Sequence, residues 1–152
     1  ALFVNAPADK ISAVLQQVPI DLIQFHGNEC PEYCANHGRP YIKAIRMKEG
    51  IDLLAERERY DTACGLLVDS YVAGIPGGTG ETFNWSLIPQ EIAGEIVLAG
   101  GLEPRNVQEA VTTVRPWGVD VSGGVEISGG IKDARAIQQF VTGVQHGDRN
   151  NH

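Results

Sequence analysis

A chain of 152 residues with 43% hydrophobic content has the length of one domain and enough apolar side chains for a real core. Its formal net charge of −7 and pI near 5.0 argue against nucleic acid or an anionic membrane as a partner, since both call for a surplus of Lys and Arg. A small anionic ligand stays open, because a few backbone N–H groups at a helix start can hold one whatever the net charge.

The chain opens on an apolar strand, Leu2 to Asn5, and further strands are expected at Asp21 to His26, Tyr41 to Arg46, Gly65 to Asp69, Glu95 to Ala99 and Gly118 to Ser122. Most are near-continuous apolar runs, such as Leu66-Leu67-Val68, which suits strands buried on both faces of a parallel sheet. Helical periodicity falls between them. Ile11, Val14, Leu15 and Val18 make one apolar stripe behind Pro7; Val107, Ala110, Val111 and Val114 make a second behind Pro104; Ala134, Ile137, Val141 and Val144 make a third. Weaker helices are expected over Pro31 to His37 and Gly50 to Arg59, with a short one after Asn84. One domain over residues 1–144 and a frayed polar tail over 145–152 complete the reading.

Cys30, Cys34 and Cys64 are odd in number and lack framework spacing, which points to a reducing cytoplasm. Cys30 and Cys34 sit four apart, but His37 does not complete a zinc set with them, and no metal is expected. No apolar run reaches the ~18 residues of a membrane span.

Six strands alternating with about six helices give an α/β fold, either an open doubly wound sheet or a closed (β/α)₈ barrel. The strand ends favour the barrel, whose C-terminal rim gathers polar and glycine residues into one pocket: Gln24-Phe25-His26-Gly27, Asp69-Ser70, Gly100-Gly101 and Ser122-Gly123-Gly124. A full barrel needs eight strands and at least ~200 residues, so the expected architecture is an incomplete barrel.

Paired glycines follow the last two strands, in "LAGGL" and "VDVSGGVE". Either pair alone reads as a tight turn; two at matching strand ends favour a phosphate site, with a short helix expected between Ser122 and Asp133. The richer stretch "GIPGGTGETF", residues 74–83, is no P-loop, because Glu81 stands where the lysine belongs; it reads as a lid. Asp69, at the end of an apolar strand, suits either a general acid or a structural cap. His26 has the same choice between core and ligand contact. Period two puts Asp120 and Ser122 on one side of their strand.

"LIQFHGNE", "LLVDS", "GGTGETFNW", "LAGGLEPRNV" and "VDVSGGVEISGGIKD" together resemble phosphoribosylanthranilate isomerase of tryptophan biosynthesis, in the family's order and over essentially the whole chain. The resemblance implies a (β/α)₈ barrel that performs an Amadori rearrangement of a phosphosugar, N-(5-phosphoribosyl)anthranilate, without metal or organic cofactor. It implies Asp69 as general acid, Gly100, Gly101, Ser122 and Gly123 as phosphate ligands, His26 near the anthranilate moiety, and Asp120 in the pocket. It also implies a general-base cysteine on the family's first strand and an arginine after the second, neither of which is present here. The chain is therefore expected to cover strands 3 to 8, to be inactive or nearly so alone, and to call for an N-terminal segment or a second chain to complete the barrel. Asn84 stands where the family usually has Asp. The readings that compete are a phosphosugar-binding fragment without catalysis and another phosphosugar barrel, such as a histidine-pathway isomerase or a lyase like the tryptophan synthase α subunit.

Overall fold

The computed structural model describes residues 1–48, 50–70 and 83–149. Strands β1 (Leu2–Phe3), β2 (Ile23–Phe25), β3 (Tyr41–Met47), β4 (Gly65–Ser70), β5 (Ile96–Leu98) and β6 (Gly118–Val119) hydrogen-bond to one another in strict chain order. The pairs β1–β2, β2–β3 and β5–β6 are parallel. That order decides between the two architectures, because a doubly wound sheet reverses at its switch point whereas a barrel sets each strand beside the one before it. The sheet is that of an incomplete α/β barrel.

By their contacts the residues form two compact units, Ala1–Ile45 with Asp52–Leu67, and Arg46–Ile51 with Val68–His152. In the first, helices α1 (Ala8–Gln17), α2 (Pro31–Ala35) and α3 (Leu53–Arg59) follow the strands. Pro31 occupies the first turn of α2, where a missing N–H costs nothing. The Asp52 carboxylate accepts from the N–H groups of Leu54 and Ala55 and caps α3, a contribution of about 1 kcal/mol. The α1 stripe is buried at Ile11, half-buried at Val14 and Leu15, and exposed at Val18. Ile23 and Phe25 on β2 are fully buried, worth about 1.5–3 kcal/mol each. The Phe25 ring meets Tyr41 edge-on at 5.8 Å and Tyr33 at 6.2 Å, and lies 5.6 Å from His37.

In the second unit, α4 (Val107–Val114) buries the expected stripe of Val107, Ala110, Val111 and Val114. It starts three residues after Pro104, and ends at Arg115, which turns left-handed at φ 55 immediately before Pro116. Helix α5 (Ala134–Arg149) corrects the expectation on two counts. Its buried side is Phe140, Gly143 and Gly147, while Ile137 and Val141 of the expected stripe are exposed. The reason is close approach: a Cβ at Gly143 would stand 2.6 Å from Val107 Cγ1, and one at Gly147 would stand 2.7 Å from Val111 Cβ. Bare backbone outcompetes apolar side chains for the face toward α4. The tail expected from residue 145 is helical as far as Arg149.

Between β6 and α5 the chain makes one 3₁₀ turn, Gly123–Val125, and then an antiparallel hairpin, β7 (Glu126–Ser128) with β8 (Ile131–Lys132). The hairpin was not anticipated, although "EISGGIK" has the two-glycine turn of one, with Gly130 at φ 81. A second 3₁₀ turn, Trp85–Leu87, fulfils the short helix after Asn84, whose Oδ1 accepts from Ser86 N at 3.1 Å.

Candidate functional site

In the second unit β4 carries an acid to its C-terminal end. All six residues of β4 are buried, and Asp69 and Ser70 close it. Next along the sheet, β5 runs into Gly100 and Gly101, both left-handed at φ 81 and 63, a conformation that glycine adopts without strain. A Cβ at Gly100 would collide with Ser70 N and would come within 2.6 Å of Ser70 Oγ and 2.7 Å of Asp69 Oδ1. Gly100 therefore lies directly against the acid, and no larger residue fits there.

The two paired-glycine loops also meet. A Cβ at Gly124 would collide with the Leu102 carbonyl oxygen and approach Glu103 Cα to 3.1 Å. Asn106 braces the first loop, donating from Nδ2 to Gly101 O at 2.9 Å and accepting at Oδ1 from Glu103 N at 2.9 Å. Lys132, returned by the hairpin, braces the second: its Nζ donates to Ser122 O at 2.9 Å and to Glu126 Oε1 at 2.6 Å. That hydrogen bond, with a second from Gly130 N–H, holds the Glu126 carboxyl below its usual range.

The structure thus brings Asp69 together with Gly100, and the Gly100–Gly101 loop together with the Ser122–Gly123–Gly124 loop. Asp120 donates its backbone N–H to Leu98 O at 2.9 Å, and its side chain is exposed, as is that of Ser122. The period-two argument for these two residues is corrected, because β6 ends at Val119 and has no alternation to impose beyond it. Residues 74–82 of the glycine-rich stretch, and with them the lid reading, lie outside the described residues.

His26 belongs to the first unit. Gln24 Nε2 and His26 Nδ1 share a hydrogen bond at 2.9 Å, which fixes one edge of the ring. The backbone around it is tied down by Glu29 and Lys43, two charged residues that the sequence reading passed over. Both are buried, with Lys43 Nζ 3.5 Å from Glu29 Oε2. A signal existed for Lys43: it shares the parity of Tyr41, Ile45 and Met47, all of them buried on β3. Among the cysteines, Cys34 is buried, and burial pushes its thiol up to about 11, whereas Cys30 and Cys64 are exposed.

No helix among the described residues is long and apolar enough to cross a membrane. The family model for N-(5'-phosphoribosyl)anthranilate (PRA) isomerase matches residues 1–143. The N-(5'-phosphoribosyl)anthranilate isomerase of Alcanivorax borkumensis is 57% identical, over 95% of this chain and 70% of its own length. Among solved structures, phosphoribosyl anthranilate isomerase from Thermotoga maritima superposes with a TM-score of 0.81 at 34% identity, over 95% of this chain and 71% of that one. A phosphoribosyl anthranilate isomerase in complex with reduced 1-(o-carboxyphenylamino)-1-deoxyribulose 5-phosphate gives 0.78 at 33% identity, over 95% and 69%.

Proposed function

Because this chain belongs to the phosphoribosylanthranilate isomerase family, the isomerases of tryptophan biosynthesis, we propose how its residues divide that reaction. Asp69 donates a proton to the furanose ring oxygen of N-(5-phosphoribosyl)anthranilate, which opens the sugar to a Schiff base. A base then removes the C2′ proton, and the enolamine tautomerises to the ketose, 1-(2-carboxyphenylamino)-1-deoxyribulose 5-phosphate. The loops at Gly100, Gly101, Ser122 and Gly123 take the phosphate through backbone N–H groups, which carry no side-chain bulk to hold it away. Asp120 lines the pocket. His26 offers a ring N–H to the anthranilate carboxylate. Three free thiols suit a reducing cytoplasm as the place of reaction.

The observation that supports this division most is the packing of Gly100 on Asp69 and Ser70. With Asp69 and a glycine loop side by side on neighbouring strands, an acid and a phosphate site would suit the two ends of one phosphosugar. The other phosphosugar barrels share only the acid and the glycine pairs, and the family match sets them aside.

The resemblance implies a cysteine as the base, and we infer that it comes from outside these 152 residues, because none of the three cysteines present is placed to serve. Cys34 holds its proton up to about pH 11. Cys64 precedes β4 while Asp69 nears its far end, about 16 Å away at ~3.3 Å per residue. Cys30, at the start of α2, is engaged with the Glu32 carboxylate. An N-terminal segment or a second chain carrying the base would complete the barrel, and the chain alone turns over little or no substrate. The test is turnover of N-(5-phosphoribosyl)anthranilate by the chain alone and with the N-terminal quarter of a relative supplied in trans. Activity is expected only in the second case, reduced about 10²–10⁴-fold by Asp69→Asn. Full turnover by the chain alone overturns the external base, and an active Asp69→Asn variant overturns the acid.

A further inference from the structure

Every peptide group flanking His26 is held by another residue. The His26 N–H donates to Phe3 O at 2.8 Å. Lys43 Nζ donates to the carbonyls on both sides, Phe25 O at 3.3 Å and Gly27 O at 2.7 Å. The Gly27 N–H donates to Glu29 Oε2 at 2.9 Å, and the Asn28 N–H to Asn5 Oδ1 at 2.7 Å. Asn5 is itself fixed, because its N–H donates to the other Glu29 oxygen, Oε1, at 2.7 Å and its backbone is left-handed at φ 49. Gly27 packs so closely on Asn5 that a Cβ there would collide with the Asn5 side chain.

Glu29 is the hub. Three donors converge on its carboxylate: Asn5 N–H, Gly27 N–H and the Lys43 ammonium. A carboxylate accepts at both oxygens, and at this buried position nothing else of that size does. The ion pair has no apparent use as a stabiliser in its own right, since burying two charges costs more than a well-packed apolar pair. Its use is that one buried anion and one buried cation satisfy the acceptors and donors of two strand-end turns together, the one after β1 and the one after β2.

We propose that Glu29 and Lys43 are positioning residues that hold His26, through the turns at Asn5 and Gly27, in the orientation that receives the aromatic carboxylate of the substrate. The clause about substrate rests on the function proposed above; the locking of the turns does not.

The experiment is Glu29→Gln. A carboxamide keeps size and one acceptor but turns its NH₂ either toward the Asn5 N–H or toward the Gly27 N–H and the Lys43 ammonium together, so at least one donor loses its partner. Amide hydrogen exchange in the 152-residue chain is expected to speed up at least tenfold at Asn5 or Gly27 and to stay unchanged at Val68 on β4. The His26 ring resonances shift with it. In the completed, active enzyme KM rises at least fivefold while kcat stays within twofold, and His26→Ala does the same. If Glu29→Gln does not fold, Lys43→Arg, which keeps the charge but not the single compact donor, is read in the same way. Exchange that rises evenly over the chain, or that stays the same at both Asn5 and Gly27, overturns the proposal. An unaltered KM in His26→Ala, beside the expected local exchange, overturns the substrate contact and leaves the turn lock standing.

Discussion

Two lysine–glutamate pairs brace turns that follow strands, one in each unit, and they differ in what water can reach. Lys43 and Glu29 in the first unit are 3.5 Å apart, with 3% and 2% of their side chains exposed. Lys132 and Glu126 in the second are only 2.6 Å apart, but 44% and 17% exposed. Burial, not distance, makes the longer contact the costlier one to break. At the surface, water and salt compete for both partners and replace either one when it is lost. In the interior the same charges are held by several backbone groups, and removing one leaves the other stranded. Distance ranks these pairs in the wrong order; burial and the number of groups served rank them correctly.

The largest expected effect follows from that difference. Lys43→Met strands the Glu29 carboxylate and is expected to cost about 3–5 kcal/mol in urea unfolding. A loss under ~1 kcal/mol would erase the distinction between the two pairs. Lys132→Met, in contrast, leaves the unfolding midpoint where it is, but frees the Ser122 carbonyl. In the active enzyme its signature is a KM for the phosphosugar raised roughly threefold at constant kcat, an effect of less than 1 kcal/mol. The smallest effect is on acidification. Glu126 titrates below its unfolded value of 4.5, so what it contributes is present above that pH and is lost as pH falls through the lower folded value. The Gly130 amide, which donates to Glu126 Oε2, should report this as a proton chemical shift with its midpoint below 4.5. A midpoint at or above 4.5 would mean that the hairpin pair does not form in solution.

The strands and the aspartate near the end of β4 were legible in the sequence because they announce themselves locally. Leu66-Leu67-Val68 can only be a doubly buried strand, and an aspartate that ends such a run stands out. Strand order was legible only as a choice of two, since a crossover from one strand to the next reads the same in a barrel and in a doubly wound sheet. The face of α5 was misread because periodicity weighs side chains, whereas Gly143 and Gly147 pack by having none. The Glu29 hub was invisible for a related reason. Its partners are backbone groups of Asn5 and Gly27, 24 and 2 residues away, and a backbone N–H has no letter in the sequence. Even so, a lysine in the buried register of β3 was a question the sequence had already posed.

The glycines at 143 and 147 have a consequence for anyone who would map function by tolerance to mutation. In a saturation scan these two positions and Gly100 would score alike, each rejecting every side chain on contact. At Gly100 the rejected atom would press on the proposed acid; at the other two it would only pry two helices apart. Intolerance alone would draw a false second hotspot where α5 meets α4, and only an assay that separates folded yield from activity per folded molecule would take it off the map.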